Sequence, residues 1–210
     1  MTDATTTYVP LRSVDMAAAL AVIIAAMRDS PQHIAAFGSD PAVREQKLHQ
    51  LFGLMSGNPA LLKHSLVAMR DGQIVGVCGL VAPGECQPTT GQRLRMIPGI
   101  LRLGLTPARR AMTWLGAWAK QDIAEPHWHV GPMVVAPAMQ GQGVGSALLR
   151  ETLRTVDDVQ GVAYLETDKA INVTFYERQG FEVVAEEVVL GTPNWFMRRP
   201  ASAALAQTAA

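Results

Sequence analysis

Met133-Val-Val-Ala-Pro-Ala-Met-Gln140-Gly-Gln-Gly-Val-Gly145-Ser-Ala-Leu-Leu-Arg150 carries a short apolar run into a glycine-rich turn and then into an amphipathic pattern with helical spacing. Glycines at this turn let the backbone point its N–H groups inward, and the lack of bulky side chains lets a ligand come close to the main chain. A helix that starts directly after them adds unpaired N–H groups and the positive end of its dipole. Strand, glycine turn and helix start, in that order, predict a site for phosphate oxygens.

Working outward, His127-Trp-His-Val-Gly-Pro132 predicts the strand that enters the turn, and a helix is expected from about Gly143 to Val156. Val162 to Glu166 reads as a strand. A helix from about Ala170 to Gln179 stops at Gly180, a C-terminal glycine position. Strand character resumes from Phe181 to Leu190 and, after a turn at Gly191-Thr-Pro-Asn, from Trp195 to Arg198. Toward the N-terminus, two β-rich runs between His64 and Val81 flank Asp71-Gly72, a strong hairpin signal. Before them come a short strand at Tyr8 to Leu11, a helix capped by Ser13 or Asp15 and running to about Arg28, and a second helix opening at Ser39-Asp40-Pro41. Residues 84–125 are too long for a simple connection and too apolar for a linker, which predicts a helical insertion able to shape a substrate pocket. One domain over residues 1–200 is expected, with an alanine-rich disordered tail at 201–210.

Composition narrows the function. The 210 residues carry 18 Lys+Arg against 18 Asp+Glu, so no global field draws in nucleic acid or an anionic membrane. No apolar stretch approaches the ~20 residues of a membrane span, and a cytoplasmic protein is expected. Cys78 and Cys86 are too few for a disulfide framework and lack metal-ligand spacing, so both read as structural or incidental and no metal site is expected.

Two phosphate-binding classes fail on residues. A nucleoside-triphosphate loop needs a Lys after its glycines, where this chain has Ser146-Ala147-Leu148. A dinucleotide fingerprint needs a third glycine where Ser146 stands, and too few strands follow for a doubly wound sheet. What remains is Gln140-x-x-Gly143-x-Gly145 on a strand-to-helix turn. With Tyr164-Leu-Glu-Thr-Asp168, Asn172-x-x-x-Tyr176-Glu-x-x-Gly180-Phe181 and the closing Trp195-Phe-Met, the chain resembles the GNAT superfamily of acetyl-CoA-dependent N-acetyltransferases over residues 127–199 and, more weakly, over the hairpin. Leu165-Glu-Thr and Phe175-Tyr-Glu-Arg-x-Gly-Phe also resemble its branch of small-molecule acetyltransferases such as puromycin N-acetyltransferase.

The resemblance implies an α+β, three-layer fold, with a mixed and mostly antiparallel central sheet, a splay at the cofactor strand and helices on both faces. It implies acetyl-CoA as co-substrate, with the pyrophosphate on the backbone of Gln140, Gly141, Gln142, Gly143, Val144, Gly145 and Ser146. The pantetheine arm is expected along Met133, Val134 and Val135, and Asn172 and Tyr176 also contact the cofactor. Tyr176 is the candidate general acid, because a phenol of pKa ~10 is protonated at neutral pH and can serve a departing thiolate. A protonated amine must lose a proton to a base, and His129 stands where the family carries a carboxylate. Glu166 and His127 are the alternatives. The expected acceptor is a small-molecule amine attacked directly, with a protein N-terminus or lysine, or a non-catalytic acyl-CoA sensor, as competing readings; whether the chain works as a monomer or a homodimer stays open.

Overall fold

A computed structural model describes residues 5–202. Seven strands form one sheet in the order β1-β2-β3-β4-β5-β7-β6. These are β1 (Thr7–Pro10), β2 (Leu66–Arg70), β3 (Gln73–Val81), β4 (His127–Val135), β5 (Val162–Thr167), β6 (Glu182–Val189) and β7 (Thr192–Arg199). Every neighbouring pair is antiparallel except β4 and β5. This is the expected mixed, mostly antiparallel sheet.

Side chains alternate across a strand, and here the alternation divides two helical layers. Val67, Val77 and Val134 point into a core shared with α1 (Met16–Met27), α2 (Pro31–Phe37), α3 (Pro41–Met55), α5 (Thr90–Leu101) and α6 (Leu105–Lys120). Their chain neighbours Ala68, Cys78, Met133 and Val135 face the other way, into a core with α7 (Val144–Asp158) and α8 (Ala170–Glu177). A one-turn helix, α4 (Leu61–His64), leads into β2. Among the described residues no helix is long and apolar enough to cross a membrane.

Local chemistry sets the ends of these elements. Asp40 accepts from the N–H groups of Ala42 and Val43, and Pro41 at the first helical position loses no hydrogen bond by lacking an N–H. Asp71 and Gly72 turn the β2–β3 hairpin with φ of 51° and 74°. Thr89 and Gln92 cap α5 reciprocally, each side chain meeting the other's backbone N–H. The segment 84–125 is thus built on two helices, α5 and α6.

Three details depart from the sequence reading. Pro31 opens α2 where only the end of the first helix is expected. Asp15 does not cap α1; its carboxylate is taken by Arg12 at 2.7 Å. The last strand begins at Thr192, because the chain reverses at Leu190 and Gly191, with φ of 52° and 80°. The expected disordered tail lies outside the described residues from 203 onward.

Candidate active site

β4 and β5 pair only across His127↔Val162, Trp128↔Ala163 and His129↔Tyr164. Past His129 they part: β4 continues against β3 through Met133, Val134 and Val135, while β5 pairs with β7 on its other side. On the β5 side, residues 130–135 have no strand partner among the described residues, so an extended ligand can add itself there as a strand. Opposite the parting, Gly131 and Pro132 on β4 face the single residue Gly79 on β3, a bulge that breaks the register between Cys78 and Leu80.

The open edge runs directly into the glycine turn. Gln140 Nε2 donates to the carbonyl of Val135 at 3.0 Å and folds the loop back over the strand end. Gln142 donates to the carbonyl of Ala138 and accepts from Arg70 Nη1 at 2.9 Å, which places a cation beside the loop that sequence reasoning did not assign. Gly141 and Gly143 have φ of 75° and 79°, and a Cβ on either would meet nothing within 4 Å. Glycine is required at these two positions for conformation, not for space. The first hydrogen bond of α7 runs from Ala147 N to Gly143 O, so the N–H groups of Val144, Gly145 and Ser146 have no partner within the helix. Loop and edge together fit a ligand that is anionic at one end and extended at the other.

At the apex of the splay, His129 Nε2 lies 3.2 Å from Glu166 Oε2 of β5. Burial disfavours a charged imidazole, but the neighbouring carboxylate outweighs it and the His129 pKa is raised. The two histidine rings share a face, centroids 6.4 Å apart, and Trp128 packs into the opposite core, as the strand alternation requires. Tyr176 on α8 is buried beside Phe175 and Phe181. Its hydroxyl makes no hydrogen bond among the described residues, and burial, with the charges of Asp168 and Glu166 adding, holds the phenol in its protonated form. Asn172 donates to Thr167 Oγ1 at 3.0 Å, tying the first turn of α8 to the end of β5. Asp168 accepts from the backbone N–H of Gln32 at 2.7 Å, so α2 is anchored to the same strand end.

The two cysteines separate. Cys78 is buried and burial pushes its thiol up to about 12, which removes it as a nucleophile. Cys86 is half-buried in the segment that follows β3. The fold brings it to Asp122, His127 and His129, one donor atom from each lying within 4.8 Å of all the others.

A sheet split beside a parallel strand pair, with a glycine loop opening a helix at the end of the split, is a site suited to an extended, phosphate-bearing ligand, and the family the chain belongs to makes the protein an acyltransferase. The chain belongs to the GNAT acetyltransferase family, which it matches over residues 30–181. Among solved structures it is similar to the histone acetyltransferase HPA2 and related acetyltransferase of Corynebacterium glutamicum, with 22% identity, a TM-score of 0.70, and 94% of this chain and 97% of that one covered. It is similar also to the polyamine N acetyltransferase of Drosophila melanogaster, with 13% identity, a TM-score of 0.63, and 93% and 100% coverage. A GNAT family acetyltransferase of Brucella melitensis, solved in complex with acetyl-CoA, matches with 20% identity, a TM-score of 0.52, and 93% and 88% coverage.

Proposed function

We propose that the protein transfers the acetyl group of acetyl-CoA to a primary amine of a small molecule, by direct attack in a ternary complex. The observation that carries the reading is the end of β4–β5 pairing at His129, which opens a strand edge leading from an acid–base cluster into an anion-binding loop. Acetyl-CoA supplies an activated thioester. The loop Gln140–Ser146 takes its pyrophosphate, and Met133, Val134 and Val135 hold its extended arm by main-chain hydrogen bonds.

The chain's own groups move the protons. An amine of pKa ~10 arrives protonated and reacts only after losing that proton. The His129–Glu166 pair receives it, directly or through water, at the mouth of the splay. As the C–N bond forms and the C–S bond breaks, the departing sulfur needs a proton, and Tyr176 donates one that is later replaced from solvent. Asn172 fixes the start of the helix that carries Tyr176. Direct transfer accords with Cys78, whose raised pKa leaves no thiolate to form an acyl-enzyme.

The segment 84–125 supports a small acceptor in this reading, since its helices α5 and α6 pack against α3 and α2 on one face of the sheet, an addition suited to an enclosed pocket more than to an open peptide groove. The similarity to a polyamine N acetyltransferase agrees with an amine of that kind. Acetyl transfer assayed over a panel of polyamines, aromatic amines and N-terminal peptides tests the proposal. Turnover confined to peptides or lysines overturns the small-molecule part. Saturable acetyl-CoA binding with no turnover on any amine overturns catalysis and leaves a sensor.

A further inference from the structure

The two ends of the segment 84–125 meet at β4. Cys86 follows β3, Asp122 follows α6, and both abut His127 and His129. His127 is only 6% exposed, and its Nδ1 lies 2.9 Å from the carbonyl oxygen of Glu125. A carbonyl only accepts, so Nδ1 carries the ring proton and Nε2 presents a lone pair. That lone pair stands 2.9 Å from Asp122 Oδ1, which also has nothing to donate. Neither atom makes a hydrogen bond, and the Nδ1 of His129 is a third buried atom without a partner. Three unpaired acceptors that converge next to a thiol are costly unless a cation joins them.

We propose that Cys86 Sγ, Asp122 Oδ1, His127 Nε2 and His129 Nδ1 bind one zinc ion. One sulfur, two imidazole nitrogens and one carboxylate oxygen suit its borderline softness and tetrahedral preference. At bond lengths of about 2.0 to 2.3 Å the ligand atoms of such a site lie about 3 to 4 Å apart, and one donor atom from each of the four residues already lies within 4.8 Å of the others. A proton on His127 Nε2 is the simpler cation and would make an ion pair with Asp122 Oδ1 at 2.9 Å, but it leaves His129 Nδ1 buried without a partner. Outer partners are in place: Glu125 O on His127, Gln87 Nε2 on Asp122 Oδ2 at 2.9 Å, and Glu166 beside the far nitrogen of His129. Such groups orient ligands and fix tautomers in metal sites.

Four protein ligands close the coordination, so the ion is a staple. It ties both ends of the segment 84–125 to the strand that carries the acid–base pair. Resting on the proposed function is one consequence: the ion fixes the orientation of the His129 ring that faces Glu166.

The test reads metal, not turnover, so it is independent of whether any amine is acetylated. Full-length protein grown with zinc and purified without chelator is analysed for metal, then stripped and titrated with Co(II). One zinc per chain is expected, and a tetrahedral cobalt spectrum with a thiolate charge-transfer band. Cys86→Ser should abolish that band, and Gln87→Ala should weaken metal binding by about 10- to 100-fold while circular dichroism stays unchanged. Protein that retains no zinc and gives no spectrum with cobalt overturns the proposal. So does a cobalt spectrum identical in the parent and Cys86→Ser.

Discussion

A Cβ on Gly79 would lie 2.2 Å from the carbonyl oxygen of Gly131, so β3 and β4 meet backbone to backbone just past the point where β4 leaves β5. Only glycine permits that approach. Gly79→Ala must push β4 away or flatten the bulge, and the expected cost is roughly 3 kcal/mol, at the upper end for overpacking. At this chain length that corresponds to a fall in Tm on the order of 10 °C. Because the displaced segment is the edge proposed to hold the cofactor, acetyl-CoA affinity measured by calorimetry should fall as well. An unchanged Tm would show that the strands part without the bulge.

Gly143 offers the opposite case, since a Cβ there meets nothing and only its φ of 79° resists substitution. Gly143→Ala should cost about 1 kcal/mol of stability, the penalty for a left-handed residue with a side chain. Relaxation of the turn should swing N–H groups away from the pyrophosphate that the loop is proposed to hold. The KM for acetyl-CoA is expected to rise about tenfold, roughly the loss of one charge-assisted hydrogen bond, with kcat little changed. A kcat effect with unaltered KM would place the loop's contribution elsewhere.

Where local chemistry decides, residues 64–81 and most of 127–189 are readable: Asp71-Gly72, Gly143 and Gly180 act within a few residues of themselves. Long-range partners decided the rest. Pro31 closes one helix and opens α2, which has seven residues; it is held by the Asp168 carboxylate on Gln32 N and by His33 bonded to the carbonyl of Met27. Asn194 looks like a turn residue, yet it is fully buried, accepting from Trp118 and donating to Gln32, so β7 starts earlier than its sequence suggests. In the candidate site, Tyr176 and the loop stand in motifs whose resemblance to the family is legible in the sequence. Cys86 and Asp122 do not, because the two helices between them erase any ligand spacing and only the folded chain brings both to the His127 strand.

Asp29 links the first two helices to α3 through two guanidinium groups. Arg28 on one side and the buried Arg44 on the other draw its pKa down from 3.8 to about 2. A carboxylate whose pKa is depressed on folding contributes stability that is whole above the unfolded value and disappears as pH falls through the folded one. The difference in urea midpoint between the parent and Asp29→Asn should therefore be constant above about pH 5, shrink from about pH 4 and be lost below about pH 2. A difference independent of pH across that window would mean that the ion pairs do not persist in solution.

Tyr176 presents the sharpest separation of chemistry from structure. Its ring packs against Phe175 and Phe181, while its hydroxyl makes no hydrogen bond among the described residues. Tyr176→Phe keeps the ring and removes only the proton donor, so the fold and acetyl-CoA binding should be retained, with Tm equal to or slightly above the parent's. Loss of a positioned general acid costs about 100-fold or more in kcat. That loss should depend on the leaving group: a thioester of a more acidic thiol needs less help from a donor and should recover part of the rate. Parent turnover in Tyr176→Phe with acetyl-CoA would remove the assignment, and a uniform loss across leaving groups would reduce Tyr176 to a packing residue.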